Sequence, residues 1–299
     1  MSQSHNRRES VAPPTSRPRP TRVVAALIPV VLAVAAIATM VVVKAAGSTA
    51  TPPSAASAHS GVAGSAGSGT SPLPSSVAAA LGVQPATLDA VGAPDAISPP
   101  QRIVGGSVQR DAAGRAVVTY VGAEYCPYCA AERWALAVAL ARFGTFSNLS
   151  ATHSSTSDVY PDTQSLSFYG SSYTSEYVDF QPVEEATNRI VDGGYGALQA
   201  PTAAQASMIA KADPQGSIPF IDIANAYVVI GASFSPQVLQ GLSNTQIAAA
   251  LSDAQSPVAK AVDGTANYLT AAISAVTGSQ PSSVAESPVI AAIAKQLGT

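Results

Sequence analysis

The chain has 299 residues, a mean hydropathy of +0.23, 11% charged residues and a formal net charge of −3. That length suits one large domain or two small ones. From residue 45 onward it holds 9 Lys+Arg and 17 Asp+Glu, a net of −8, which excludes the basic footprint of a nucleic-acid binder and a polybasic lipid patch.

Residues 1–22 contain Arg7, Arg8, Arg17, Arg19 and Arg22 against the single acid Glu9. Residues 23–43, "VVAALIPVVLAVAAIATMVVV", carry no charge. As a helix at about 1.5 Å per residue this run crosses a hydrocarbon core of roughly 30 Å. The arginines ahead of it predict a cytoplasmic N-terminal tail and an extracytoplasmic remainder. A cleaved secretory signal is the competing reading, since "KAAG" offers small residues for cleavage. The run exceeds the roughly 7–15 residues of a signal core, so an uncleaved membrane anchor is the expectation. Residues 44–76, mainly Ala, Ser, Gly, Thr and Pro, read as a disordered tether. Residues 77–100 read as a partly helical lead-in, and 101–299 as the folded domain.

Within that domain "RAVVTYVGAEY" (Arg115–Tyr125) is a β-branched apolar run suited to a buried strand. A helix follows from Pro127, rich in Ala and Leu, with Pro at a plausible first position and Gly144 beyond its end. It sets Trp134, Val138 and Arg142 on one face. Strands are predicted at Leu149–Ser154, Leu166–Tyr169 and Tyr177–Pro182, the last two flanking "GSSYTS" as a hairpin-like loop. "GGYG" breaks the chain, and "TAAQASMIAKAD" reads as a helix. Two short apolar runs in "GSIPFIDIANAYVVIGASF" meet at Ala-Asn-Ala. Helices are predicted at Pro236–Leu242, Thr245–Leu251, Val258–Ala275 and Val289–Leu297. The order implies an α/β or α+β sandwich around one sheet.

The only two cysteines, Cys126 and Cys129, stand in "GAEYCPYCAAERW" at the strand-to-helix junction. With Cys126 as helix cap, the first-turn amides and the macrodipole favour a thiolate there. A second thiol three residues on can then resolve a mixed disulfide. Zinc binding needs two more ligands, and the exported histidines are only His59 and His153. A structural staple would close a very small loop, where a disulfide contributes least, and an inert buried pair does not account for Pro127. No metal or cofactor is expected, and redox exchange is the favoured reading. Tyr125 and Tyr128 flank the first sulfur and offer an aromatic surface to a partner polypeptide. Trp134 and Tyr120 read as core, Glu124 as surface, Glu132 and Arg133 as solvated helix charges, and His153 as a satisfied strand residue.

The strand "VVTYVGAEY", the CPYC motif at a helix start and the later "SIPFIDI" resemble the thioredoxin-like superfamily in kind and order. That resemblance implies a thioredoxin-like sandwich with extra C-terminal helices. It also implies a cis-proline at Pro219, preceded by Ile218, facing the cysteines and contacting the substrate backbone. "YVGAEYCPYCAAERWALAVALARFGTFSNL", "DVYPDTQSLSFYGSSYTSEYVDFQPVE", "GSIPFIDIANAYVVIGASFSPQVLQGL" and "GTANYLTAAI" are more closely similar to the DUF929 family, over roughly Pro85 to Ala285. In many of its members the resemblance implies two further cysteines, at positions held here by Ser274 and Ala285. Thioredoxins bury an acid six residues before the first cysteine, a position that is Tyr120 here.

Together these readings predict a single-pass membrane protein acting on exported cysteine-containing proteins, with a further redox partner to recycle the pair. The expected site is Cys126 and Cys129, with Ile218, Pro219, Tyr125 and Tyr128 binding substrate. The alternative is a non-catalytic thioredoxin-like module tethered to the envelope, favoured by Tyr120 in place of the acid.

Overall fold

A computed structural model describes residues 69–298. The expected anchor at 23–43 and most of the tether lie outside these residues. Among the described residues no helix is long and apolar enough to cross a membrane.

Twelve strands and eight helices are present among the described residues. The chain opens with β1 (Ser71–Pro72), α1 (Ser75–Ala80), α2 (Pro85–Val91) and β2 (Gln101–Arg102). The central unit is β3 (Ala116–Gly122) followed by α3 (Pro127–Ala141). Next come β4 (Gly144–Ser147), β5 (Ser150–His153), β6 (Gln164–Ser167), β7 (Ser172–Ser175) and β8 (Val178–Glu184). The strands β9 (Ala186–Val191) and β10 (Gly194–Ala197) precede α4 (Ala203–Ala212), β11 (Phe220–Ile223) and β12 (Tyr227–Ile230). A 3₁₀ turn at Pro236–Leu239 leads to α5 (Asn244–Ala250), α6 (Pro257–Val276), α7 (Ser282–Ala285) and α8 (Pro288–Gln296).

The main sheet has five strands in the order β2-β12-β11-β3-β8. β8 runs parallel to β3, while the β3–β11, β11–β12 and β12–β2 pairs are antiparallel. This is a mixed α/β fold. Strand alternation sends Val118, Tyr120, Ile221, Ile223, Val178 and Phe180 to one face, where they pack with α3 and α6. The opposite face holds Val121, Val183, Phe220 and Val228 beneath Met208, Ile209 and Ala212. Val77 and Leu88, from the two helices of the lead-in, belong to the larger of these cores.

α3 is buried all round: every residue from Cys129 to Leu140 is out of solvent. It lies between the sheet and α6, which is why its sequence has no wide polar stripe. On the opposite face of the sheet, α4 contributes no fully buried residue, and a Thr202–Gln205 capping box starts it.

Two local expectations are corrected. "GSSYTS" is not a hairpin loop joining its flanking strands: Ser172–Ser175 is itself a strand, paired antiparallel with β4, while β6 pairs with β5 and β8 with β3. The Phe146–Tyr173 ring contact, at 4.8 Å, lies across that β4–β7 pair. The glycine-rich break is a hairpin, β9 to β10, turning on Asp192 (φ 52) and Gly193 (φ 85). Two left-handed residues are what a tight hairpin turn requires, and Asp-Gly supplies them.

Candidate functional site

Cys126 closes β3's exit and caps α3 in extended conformation (φ −78, ψ 122). Its Sγ accepts the Cys129 backbone N–H at 3.4 Å, and Pro127 occupies the first helical position, where no N–H is needed. Both thiols are free; Cys126 is 6% exposed and Cys129 0%. The Cys126 thiol is drawn below the ordinary thiol value, first by its bond with the Cys129 side chain, against burial, and further by first-turn amides and the Arg133 charge. The Cys129 thiol goes the other way: burial raises it well above that value, and the Cys126 sulfur adds to the rise. Two thiols of one motif are thus pulled in opposite directions, the outer sulfur toward the thiolate and the inner one toward the protonated form.

Ile218 and Pro219 come to the same place from the start of β11. Their peptide bond is cis, and the Ile218 carbonyl oxygen lies 4.0 Å from Cys126 Sγ. Pro219 is buried and Ile218 half-buried. Tyr125 stacks face to face on Tyr195 from β10, at 4.1 Å and 4°. Tyr128, 40% exposed, meets Tyr160 edge-on at 5.8 Å. All six residues expected at the site are therefore gathered at one end of the sheet. Sequence reasoning missed the partner rings, Tyr160 and Tyr195, which arrive on the β5–β6 connection and on the β9–β10 hairpin.

Beneath Cys129 lies a buried polar cluster, two members of which, Arg133 and Glu124, read as exposed from sequence. Arg133 is 0% exposed. Its Nε lies 2.9 Å from Glu184 Oε1 and donates to Tyr120 Oη at 3.1 Å. Its other nitrogens donate to Ser165 Oγ, the Leu166 carbonyl and, at 2.8 Å, the Ala123 carbonyl just ahead of the cysteines. Every guanidinium face is used, as a buried charge demands. Burial opposes the Arg133 charge, but Glu184, Tyr120 and Cys129 more than offset it.

Glu184 reaches the cluster because the parallel register sets it opposite Gly122. Burial raises its carboxyl to about 7, with Arg133 opposing and Glu124 adding to the rise. Glu124, expected at the surface, is fully buried, and its Oε1 accepts from Ser167 Oγ at 2.7 Å. Tyr120 is core as expected, with its ring edge-on to Phe168 at 5.2 Å. A Cβ on Gly122 would collide with Tyr120 Oη and sit 3.1 Å from Cys129 Sγ, so the bare glycine is what lets the hydroxyl stand beside the sulfur.

Glu132 is also buried, not solvated. Its carboxylate accepts from Ser233 N at 2.8 Å and Ser233 Oγ at 3.0 Å, and burial raises it to about 7 against those bonds. It ties α3 to the loop after β12. Trp134 is core, with Nε1 donating to the Gln164 carbonyl at 3.0 Å. His153 is half-buried and satisfied, Nδ1 lying 2.8 Å from the Ser154 carbonyl and 3.0 Å from Asp162 Oδ1. No group of three or more His, Cys, Asp or Glu side chains able to hold a metal occurs among the described residues.

A separate cavity of about 830 Å³ lies toward the other end of β12, lined in part by Arg102, Tyr227, Ser274, Ala285 and Lys295. Ser274 and Ala285 thus share one cavity wall, at the positions where the resemblance implies an extra cysteine pair.

No curated protein and no solved structure matches the chain. One family model does, over residues 107–275, a span that contains the cysteines, Arg133, Glu184 and Pro219. The chain belongs to the DUF929 family, described as a domain of unknown function.

Proposed function

We propose that this protein is a thiol–disulfide oxidoreductase of thioredoxin-like fold, held outside the cell membrane by an N-terminal anchor and acting on exported protein thiols. The observation that carries the reading is the asymmetry of the two sulfurs. Cys126 is a helix cap with a lowered thiol pKa and a narrow opening to solvent; Cys129 is sealed behind it with a raised one. Such a pair attacks through the outer sulfur and resolves through the inner one.

A β3–α3 unit with the thiols at its junction supports the thioredoxin-like assignment, as does a later antiparallel strand that brings Ile218 and Pro219 to them. The half-buried Ile218, with its carbonyl facing Cys126, suits contact with the backbone of an extended substrate. The anchor rests on the uncharged run at 23–43 and the arginines before it.

The test is capture in cells. Cys129→Ser accumulates mixed disulfides through Cys126 with exported cysteine-containing proteins, and Cys126→Ser accumulates none. Equal, background-level capture by both variants sinks the reading. The second reading, a non-catalytic binding module, draws on the near-complete burial of Cys126 (6% exposed). It predicts that a chain with both cysteines changed to Ala retains its cellular role.

A further inference from the structure

The resolving sulfur poses a problem of its own. To displace a substrate from Cys126, Cys129 has to lose a proton in a place with no exposure to water, where burial disfavours the thiolate. Three groups of the cluster beneath it are candidates, none of them hydrogen-bonded to the Cys129 sulfur in this resting arrangement; Tyr120 and Arg133 interact with it electrostatically, and Glu184 is reached through them. Arg133 stays protonated and cannot accept. Tyr120 Oη stands on the Cys129 side of the cluster, and the bare Gly122 keeps the gap between hydroxyl and sulfur free of a side chain. Glu184 has one oxygen paired with Arg133, and its Oε2 is buried without a hydrogen-bond partner. Tyr120 Oη and Glu184 Oε1 both approach the same nitrogen, Arg133 Nε, at 3.1 and 2.9 Å. Since Tyr120 accepts that N–H, its own proton is free to point elsewhere.

We propose that Tyr120 carries the proton of the resolving step, taking it from Cys129 and passing its own to Glu184, while Arg133 holds the two oxygens in line. The proposal rests on the dithiol-exchange reading. With substrate sulfur bonded to Cys126, the Cys129 S–H proton moves to Tyr120 Oη as the Tyr120 proton moves to Glu184. The Cys129 thiolate attacks Cys126 Sγ. The Cys126–Cys129 bond forms, and the bond from Cys126 to the substrate sulfur breaks. Its electron pair leaves with the substrate as thiolate, which takes a proton from solvent. The substrate disulfide is the oxidant, accepting two electrons from the cysteine pair. Re-reduction of the pair returns the proton by the same path. Glu124 Oε1 accepts from Ser167 and its Oε2, like that of Glu184, is buried without a partner, but only Glu184 is paired with Arg133, the residue that also bonds Tyr120.

The experiment is single-turnover release from 5,5′-dithiobis(2-nitrobenzoate) by the reduced protein, followed in a stopped-flow instrument. Attack by Cys126 releases one nitrothiobenzoate, and resolution by Cys129 releases a second. Tyr120→Phe keeps the ring and its contact with Phe168. It is expected to slow the second release at least about a hundredfold at neutral pH, the low end for one lost proton transfer, and to leave the first within about twofold. In the wild type the second rate climbs as pH passes about 7, where Glu184 ionises. Glu184 is faced there by Arg133 of α3, Tyr120 of β3, Glu124 ahead of α3 and the Phe168 N–H after β6. That climb is lost in Tyr120→Phe and, by removing the acceptor, in Glu184→Gln.

A second release at the wild-type rate in either folded variant overturns the proposal, as does an equal slowing of both releases. If the wild type itself releases only one equivalent, the exchange reading falls and the proposal with it. If the wild type releases two and Tyr120→Phe matches it, the proposal alone falls.

Discussion

Arg133 and Glu184 meet at 2.9 Å with both side chains at 0% exposure, directly under the helix turn that carries the two cysteines. One residue comes from the second turn of α3 and the other from the last position of β8, so the pair fixes the helix against the sheet edge. Through Ala123 it also holds the loop before Cys126. Removing one partner of a buried pair is costly because the other charge stays behind. Arg133→Met is expected to cost about 3–5 kcal/mol at pH 8. The loss is smaller at pH 5, where the abandoned Glu184 takes a proton. Urea unfolding at the two pH values measures the difference, and a pH-independent cost contradicts the assignment of charge.

Gly122 supplies a second test of the same cluster. Gly122→Ala puts a methyl group against Tyr120 Oη and is expected to destabilise by about 1–3 kcal/mol through overpacking. In a Tyr120→Phe background the nearest obstruction, the oxygen, is gone, while the ring Cζ at 2.6 Å and Cys129 Sγ at 3.1 Å remain, so part of that cost should disappear. A double-mutant cycle in chemical denaturation reads the coupling directly. Additive costs would show that the methyl meets something else.

Asp263, on α6, is buried with neither carboxyl oxygen hydrogen-bonded, and burial raises it to about 8. Its folded pKa lies above the unfolded value near 3.9, so the folded state binds the extra proton. Stability from this group is therefore full below the unfolded pKa and is lost as pH rises through about 8. Asp263→Asn removes the ionisation. Its melting temperature is expected to match the wild type near pH 4 and to exceed it increasingly toward pH 9. A constant difference across that range would count against burial as the cause.

The stacked Tyr125–Tyr195 pair beside Cys126 is expected to serve polypeptide substrates and not small disulfides. Tyr195→Ala removes about 0.5–1.5 kcal/mol of ring contact. It should raise KM for an unfolded protein substrate several-fold while leaving the rate with a small aromatic disulfide unchanged. Equal effects on both substrates would make the stack a purely structural feature.

Much of the site was legible because its signals are local. A proline after Cys126 and a strand before it announce a capped helix, and the structure has that cap. The helices expected at Thr245–Leu251, Val258–Ala275 and Val289–Leu297 fall within a residue of their bounds because their apolar spacing is regular; the one expected at Pro236–Leu242 is a 3₁₀ turn over Pro236–Leu239, and Ser282–Ala285 was not expected. What sequence reading lost is long-range. Arg133 sits between Glu132 and Trp134 on a helix whose apolar face looked one-sided, so both charges read as solvated; Arg133 turns onto β3, β6 and β8, Glu132 onto the loop after β12, and both are buried. Glu184 could not be assigned because only the parallel β3–β8 register sets it opposite Gly122. The β4–β7 pairing joins segments with no turn between them to mark it. By contrast, "RIVDGGYG" did carry a readable hairpin signal, an Asp-Gly between apolar residues, and Tyr195 would have followed from it.

The central claim is that the fold splits the two thiols into attacker and resolver. The direct measurement is the pH dependence of alkylation of the reduced wild-type protein, with the modified residue located by mass spectrometry. The account predicts that Cys126 reacts first, with a midpoint below the ordinary thiol value of about 8.5, while Cys129 stays unmodified in the folded protein. A midpoint at or above that value, or first modification at Cys129, would contradict it.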